Sequence, residues 1–281
     1  MKHTVQSMNV HLFGPFRIRV GDEHIHLGIA GVTRDILTYL LLNPGAVFRR
    51  DMLANLFWPD STTAQARAAL STALWRLHKS CAEILGLTVE SSENLIWLKA
   101  DDDIYIDIRQ LEYWQRQAQI HRRTDLRLSD TIRRNLTACV ENCQGQYLDG
   151  CEEDWARAPR EDAMTLRLNT INQLIDDAQE RGRLSSAIRL AQLGLKDDPL
   201  HEWLHHRLIQ LYAESSQRSK AIMQFETLKD TLANELGISP LPETLELRNS
   251  IISVSSLPGA SPIPAAATEN IGRSKTTPSH G

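Results

Sequence analysis

Residues 61–82 read STTAQARAALSTALWRLHKSCA, with three strong bases, Arg67, Arg76 and Lys79, and no acid. On a 3.6-residue wheel Ala66, Leu70, Ala73, Leu74, Leu77 and Cys81 fall on one side and are expected to face a core. Gln65, Ala68, Thr72, Trp75, Arg76 and Lys79 fall on the other, with Arg67, Ser71 and His78 on one flank. Ser61 or Thr62 supplies an N-cap. The spacing predicts a long amphipathic helix whose bases lie on the outward side or its border.

The flanking segments set this helix in a frame. Upstream, VHLFGPFRIRVGDEHIHL alternates apolar and polar residues around Gly14-Pro15 and Gly21-Asp22, as short antiparallel strands joined by turns do. In GVTRDILTYLLLNPG, Ile36, Leu37, Leu40 and Leu41 recur at helical spacing and Asn43-Pro44-Gly45 ends the run. A short second helix is expected from Arg50 to Trp58, stopped by Pro59-Asp60. Downstream, LTVESSENLIWLKA predicts a hairpin, with Thr88 to Glu90 and Leu95 to Leu98 as strands and Ser91 to Asn94 as the turn. Strands, three helices and a closing hairpin in that order make a winged helix, the helix-turn-helix variant whose last helix enters the major groove.

At 281 residues the chain is long enough for two domains. Its 42% hydrophobic and 23% charged residues are those of a globular protein. No run of about 18 apolar residues spans a membrane, and MKHTVQSMNVHLFGPF lacks an apolar signal core, so a cytoplasmic location is expected. The net charge of -4 argues against a general nucleic-acid coat, which makes the position of each charge more informative than the sum. Cys139, Cys143 and Cys151 share the chemistry of a metal site, but no fourth ligand accompanies them. Packed, reduced thiols are expected instead.

From Ile108 onward no strand is expected. A helical region from Gln110 to about Cys143 gives way to a loop at Gln144 to Glu153. A repeat follows: Leu174, Ala178, Gly182, Ala187 and Ala191 are answered by Leu208, Tyr212, Ser216, Ala221 and Phe225, each 34 positions later. That period is the tetratricopeptide spacing of paired helices. The run from 253 to 281, rich in Ser, Pro, Ala and Thr, is expected to be a disordered tail or linker. The fold class is therefore mainly α: a winged helix-turn-helix with small antiparallel β elements at 1–108, then an all-α tetratricopeptide-like domain at 109–252.

Two phrases in the second half are distinctive, GQYLDGCEEDWARAPRE (145–161) and LKDTLANELGISPLPETLELRNSI (228–251), the latter containing Glu235 to Thr244. Together with the repeats they resemble a bacterial transcriptional activator domain. Placed after an OmpR/PhoB-like winged helix, they give the chain the look of the SARP family of transcriptional activators over roughly residues 8–252. The resemblance implies a protein that binds promoter direct repeats as double-stranded DNA. It also implies a helical domain that self-associates, as a homo-oligomer on DNA, or contacts RNA polymerase. It implies no cofactor, and no G-x-x-x-x-G-K-[ST] phosphate loop occurs in the chain. Asp107 matches the family's acidic residue at the domain junction and is expected to orient the connection, by capping a helix that starts near Gln110.

With the DNA-binding order in place, Thr72 and Arg76 are assigned to base edges, because they face outward in mid-helix and arginine pairs bidentately with guanine. Gln65 and Arg67 near the helix start, and His78 and Lys79 near its end, are assigned to phosphates, as are Arg49 and Arg50 at the opening of the second helix. The wing, TVESSENLIW, differs from relatives in carrying Glu90 and Glu93 and no base before Lys99, so it is not expected to approach phosphate. That acidic wing also supports an alternative in which the chain is a protein-interaction module without DNA binding.

A second alternative is His201-Glu202-Trp203-Leu204-His205, an H-E-x-x-H that would make a zinc peptidase with Glu226 as third ligand. It is set aside because its helix needs Leu204, Leu208 and Leu211 for packing. Asp101-Asp102-Asp103 lacks the spaced ligands and glycine of a calcium loop and is expected to be a solvated turn. His24 and His26 alternate on a strand and need no special role.

Overall fold

The computed structural model describes residues 8–82, 87–100, 104–121 and 127–253. Three short antiparallel strands open it: β1 (Met8–His11), β2 (Arg17–Val20) and β3 (Glu23–Ile25). Val10 and Ile18, paired across β1 and β2, are fully buried, so the period-2 pattern is the register that covers the core. Helix α1 (Val32–Leu42) follows and buries Ile36, Leu37, Leu40 and Leu41. Strand β4 (Val47–Arg49), absent from the sequence-based expectation, leads directly into α2 (Arg50–Phe57). Helix α3 (Thr63–Cys81) starts on a capping box: the Thr62 hydroxyl accepts from the Gln65 backbone N–H, and the Gln65 side chain accepts from the Thr62 backbone.

Strands β5 (Leu87–Ser92) and β6 (Leu95–Ala100) form the hairpin, with β4 on the far side of β6 in the order β4-β6-β5. Ser91 and Ser92, expected in the turn, belong to β5, so the turn shrinks to Glu93 and Asn94 and puts Glu93 at φ 46°. Strand β4 escaped notice because three residues beside a Pro-Gly turn show no alternation. Its pairing, Val47 with Trp97 and Arg49 with Leu95, is supplied by the other end of the domain.

The chain then returns to the first sheet. Strand β7 (Tyr105–Ile106) lies parallel to β1, giving the order β3-β2-β1-β7, and α4 (Asp107–His121) begins at once. This corrects the expected start near Gln110. Asp107 is the helix's first residue, fully buried, and its carboxylate accepts from the backbone N–H groups of Leu12 (2.8 Å), Phe13 (3.0 Å) and Ile108 (2.7 Å). Burial pushes this carboxyl's pKa up while those three donors pull it back. The expected single helical region is two helices, α4 and α5 (Asp130–Asn142). The triplet Asp101 to Asp103 and residues 254–281 lie outside the described residues, and Ser253, placed in the tail, instead ends the last helix.

The loop after α5 crosses back over the winged helix. Leu148 donates its N–H to the Leu12 carbonyl, Gly14 donates to Gln146, and Phe13 and Tyr147 form a β-bridge, a strand-like contact not expected beyond Ile108. Arg160 gathers the loop by donating to the carbonyls of Tyr147, Leu148 and Cys151. A 3-10 turn (Asp154–Ala156) carries Trp155 against Tyr39 and Phe57. One contiguous core therefore runs from Met8 to Ile251 through both halves.

The second half is a stack of antiparallel helices: α6 (Arg157–Glu180), α7 (Leu184–Asp197), α8 (Glu202–Glu214), α9 (Arg218–Leu236) and α10 (Pro242–Ser253). The 34-residue repeat maps onto α6–α7 and α8–α9. Gly182 and Ser216 hold the same left-handed turn, at φ 67° and 59°. In both turns the next residue donates back across it, Arg183 to Ala178 and Gln217 to Tyr212, each at 2.7 Å. A buried ion pair of Arg167 with Asp197 ties α6 to α7, and Arg167 also reaches the Val140 carbonyl on α5.

Candidate nucleic-acid interface

The residues buried on α3 are Ala66, Leu70, Ala73, Leu74, Leu77 and Cys81, the six expected from the wheel. Gln65, Arg67, Ala68, Ser71, Thr72, Trp75, Arg76, His78 and Lys79 are exposed. Leu70 and Leu77, with no exposed surface, each contribute roughly 1.5–3 kcal/mol of burial free energy and fix which face looks out. The outer face is thus set by what the inner face buries.

The assigned residues do not all stand in the same state. Arg67 is clamped: its Nε and Nη2 donate to the two carboxylate oxygens of Asp51 at 2.7 and 2.9 Å. Arg67 holds the Asp51 carboxyl below the usual carboxylate range, and Asp51 in turn raises the Arg67 guanidinium. Ser71 donates its hydroxyl to the Arg67 carbonyl (2.8 Å) and accepts from Arg50 Nη2 (2.9 Å). Asp51, Arg67, Ser71 and Arg50 form one chain of contacts from the start of α2 to the middle of α3. Sequence reasoning missed Asp51 and the role of Ser71. The signal available was an acid in the first turn of α2, but its partner sits sixteen residues on, across a turn.

Arg49 is the exposed last residue of β4 and pairs with Leu95, while the Arg50 N–H donates to the Asn94 carbonyl at 2.8 Å. Both arginines therefore stand beside the wing turn as well as at the N-terminus of α2. The Gln65 amide oxygen is occupied by its cap. Thr72 donates its hydroxyl to the Ala68 carbonyl at 3.1 Å. Trp75 is 64% exposed, and the Lys79 ammonium lies 5.8 Å from its ring centre. Arg76 and His78 form no ion pair among the described residues. On the wing, Glu93 is exposed at the tip and Glu90 is partly covered on β5.

The H-E-x-x-H pattern is built into packing. His205 is buried, its Nε2 lying 3.0 Å from the Pro199 carbonyl oxygen and its Nδ1 2.7 Å from the Gln224 side-chain nitrogen on α9. Glu202 accepts the Leu241 N–H at 2.6 Å, and Glu226 pairs with Lys229. Among the described residues no three His, Cys, Asp or Glu side chains group closely enough to hold a metal ion. Cys81, Cys139, Cys143 and Cys151 are free and buried, and burial pushes the Cys81 and Cys139 thiols up to about 11. Among the described residues no helix is long and apolar enough to cross a membrane.

Residues 106–252 match the bacterial transcriptional activator domain. The chain is 25% identical over 249 residues to the regulatory protein AfsR of Streptomyces griseus, covering 89% of this chain and 25% of that protein. It is 25% identical over 259 residues to the transcriptional regulatory protein MoaR1 of Mycobacterium tuberculosis, covering 89% of this chain and 80% of that one. The chain thus spans about a quarter of the length of AfsR and most of MoaR1. Among solved structures, Mycobacterium tuberculosis EmbR in complex with a low affinity phosphopeptide superposes with a TM-score of 0.62 at 19% identity, over 90% of this chain and 66% of that one.

Proposed function

The chain belongs to the bacterial transcriptional activator domain family and has the SARP order of winged helix before helical repeats, and on that premise we propose that it regulates transcription by binding promoter DNA through α3. The observation that carries this reading is the split of α3: six buried apolar residues on one side, and Thr72, Trp75, Arg76 and Lys79 exposed on the other. A helix so held, third in a helix-turn-helix, presents that face to the major groove.

Roles follow from each residue's state. Arg76, without an ion pair among the described residues, reads a guanine through its O6 and N7 acceptors. Thr72 spends its hydroxyl proton on Ala68, so it offers DNA a lone pair and a methyl group, which suit an adenine or cytosine amino group or a thymine methyl. Lys79, Gln65 and His78 hold phosphates along the helix, with Arg67 beside them but held back by Asp51, and Arg49 and Arg50 hold them at the start of α2, where backbone N–H groups also favour an anion. Glu90 and Glu93 keep the wing off the minor groove. The helical domain serves self-association on direct repeats or contact with RNA polymerase, and the protein performs no chemistry on its target. The protein is cytoplasmic in this reading, and the division at residue 108 separates the DNA-reading part from the part that transmits.

The experiment is anisotropy of labelled duplexes from the gene's own upstream region and from genome-wide selection, titrated with the full chain at two salt concentrations. A selected duplex should bind more tightly than random DNA, with affinity falling steeply with salt. Genome-wide selection that enriches no sequence would overturn the proposal and leave the acidic wing as the mark of a protein-binding module.

A further inference from the structure

A cleft of about 410 Å³ lies between the winged helix and the helical domain, away from the outer face of α3. Three aromatic residues line it, each from a different element: Tyr39 of α1, Tyr147 of the crossing loop and Trp155 of the 3-10 turn. Tyr39 and Trp155 meet edge to face with ring centres 5.1 Å apart. Arg109, in the first turn of α4, lines the same cleft. It is partly buried and makes no hydrogen bond or ion pair among the described residues. Burial lowers its pKa, and the nearby Glu112 carboxylate offsets that only in part. Glu112 and Asp162, also lining the cleft, are exposed at its rim.

A partly desolvated guanidinium with no hydrogen-bonded acceptor gains from an anion that arrives to meet it. Flat aromatic walls offer a ring stacking and edge contacts. A cleft at a domain interface that sets aromatic side chains beside a few convergent polar groups is a usual place for a small-molecule site. The two acids at the mouth would repel a simple anion, but they suit one that carries an ammonium at its outer end. We propose that this cleft binds a small aromatic carboxylate, with its carboxylate on Arg109 and its ring against the wall formed by Trp155 and the two tyrosines, and that Glu112 and Asp162 favour ligands that also bear an amine.

The test is calorimetric titration of the full chain with three probes that share a phenyl ring: phenylalanine, phenylacetate and phenethylamine. Binding should fall in that order, and Arg109→Gln should weaken the two carboxylates by about tenfold or more while moving phenethylamine little. Glu112→Gln, on the exposed rim, leaves the fold intact and should narrow the gap between phenylalanine and phenylacetate. Phenethylamine binding as tightly as the carboxylates would overturn the assignment. So would the absence of heat with all three probes at millimolar concentration, or an Arg109→Gln variant that binds phenylacetate as the native chain does. None of these readouts involves DNA, so they stand apart from the test of promoter binding.

Discussion

Arg76 and Lys79 sit one turn apart on the same helix face, yet their surroundings differ. Lys79 is drawn over the ring of Trp75, whereas Arg76 has no ion pair among the described residues. Arg76→Ala should therefore cost about 1–3 kcal/mol on the selected duplex and leave random DNA nearly unaffected. Lys79→Ala should weaken both alike and reduce the salt slope by about one. Anisotropy on both duplexes separates the two, and equal losses from Arg76→Ala would remove it from the base-reading role. Asp51 makes a second case. Its carboxylate engages both arms of Arg67, so Asp51→Ala should free that guanidinium, tighten binding to random DNA and steepen the salt slope by about one. An unchanged slope would place Arg67 away from phosphate. The exposed bases were legible because a 3.6-residue period states which side a residue takes. The Asp51 clamp was not, since a sixteen-residue separation across a turn carries no periodic signal.

At the level of helices, the repeat shows how one period is met by different residues. Gly194 on α7 lies directly under a side chain of α8: a Cβ there would stand 2.6 Å from Leu204 Cδ1. Gly194→Ala should destabilise the protein by about 1 kcal/mol in urea unfolding, because the buried Leu204 side chain must leave its rotamer to admit one methyl. Where the first repeat has Gly182 in the left-handed turn, the second has Ser216, so the turn is kept by the backbone bonds around it rather than by glycine alone. The contact of α8 with α9 also contains a titratable group. Burial lowers the His205 pKa, against the Pro199 carbonyl that raises it. A histidine whose folded pKa is depressed contributes stability that is complete above its unfolded value near 6.5 and declines as pH falls below it. The native chain should accordingly lose melting temperature between pH 6.5 and 5, and His205→Gln should flatten that part of the profile. A native profile no steeper than the variant's would count against a buried neutral His205.

For the molecule as a whole, Asp107 is the residue on which the two halves meet. It receives two backbone N–H groups from Leu12 and Phe13, just past the end of β1, and one from its own helix. Asp107→Ala leaves three buried donors unpaired and should cost about 3 kcal/mol or more in urea unfolding, far beyond the transfer of a side chain to alanine. A loss under 1 kcal/mol, about one hydrogen bond's net worth, would mean water replaces the carboxylate. The sequence by itself determined the three helices of the winged helix, the inward face of α3, the hairpin and the repeat, because these follow from apolar periodicity and turn chemistry within a few residues. The tertiary structure alone decided β4, the parallel return of β7, the arginine–aspartate clamp on α3 and the aromatic cleft across the two halves. Each of these joins groups far apart in the chain, and such a pairing is stabilised by closeness in space, which no local pattern encodes.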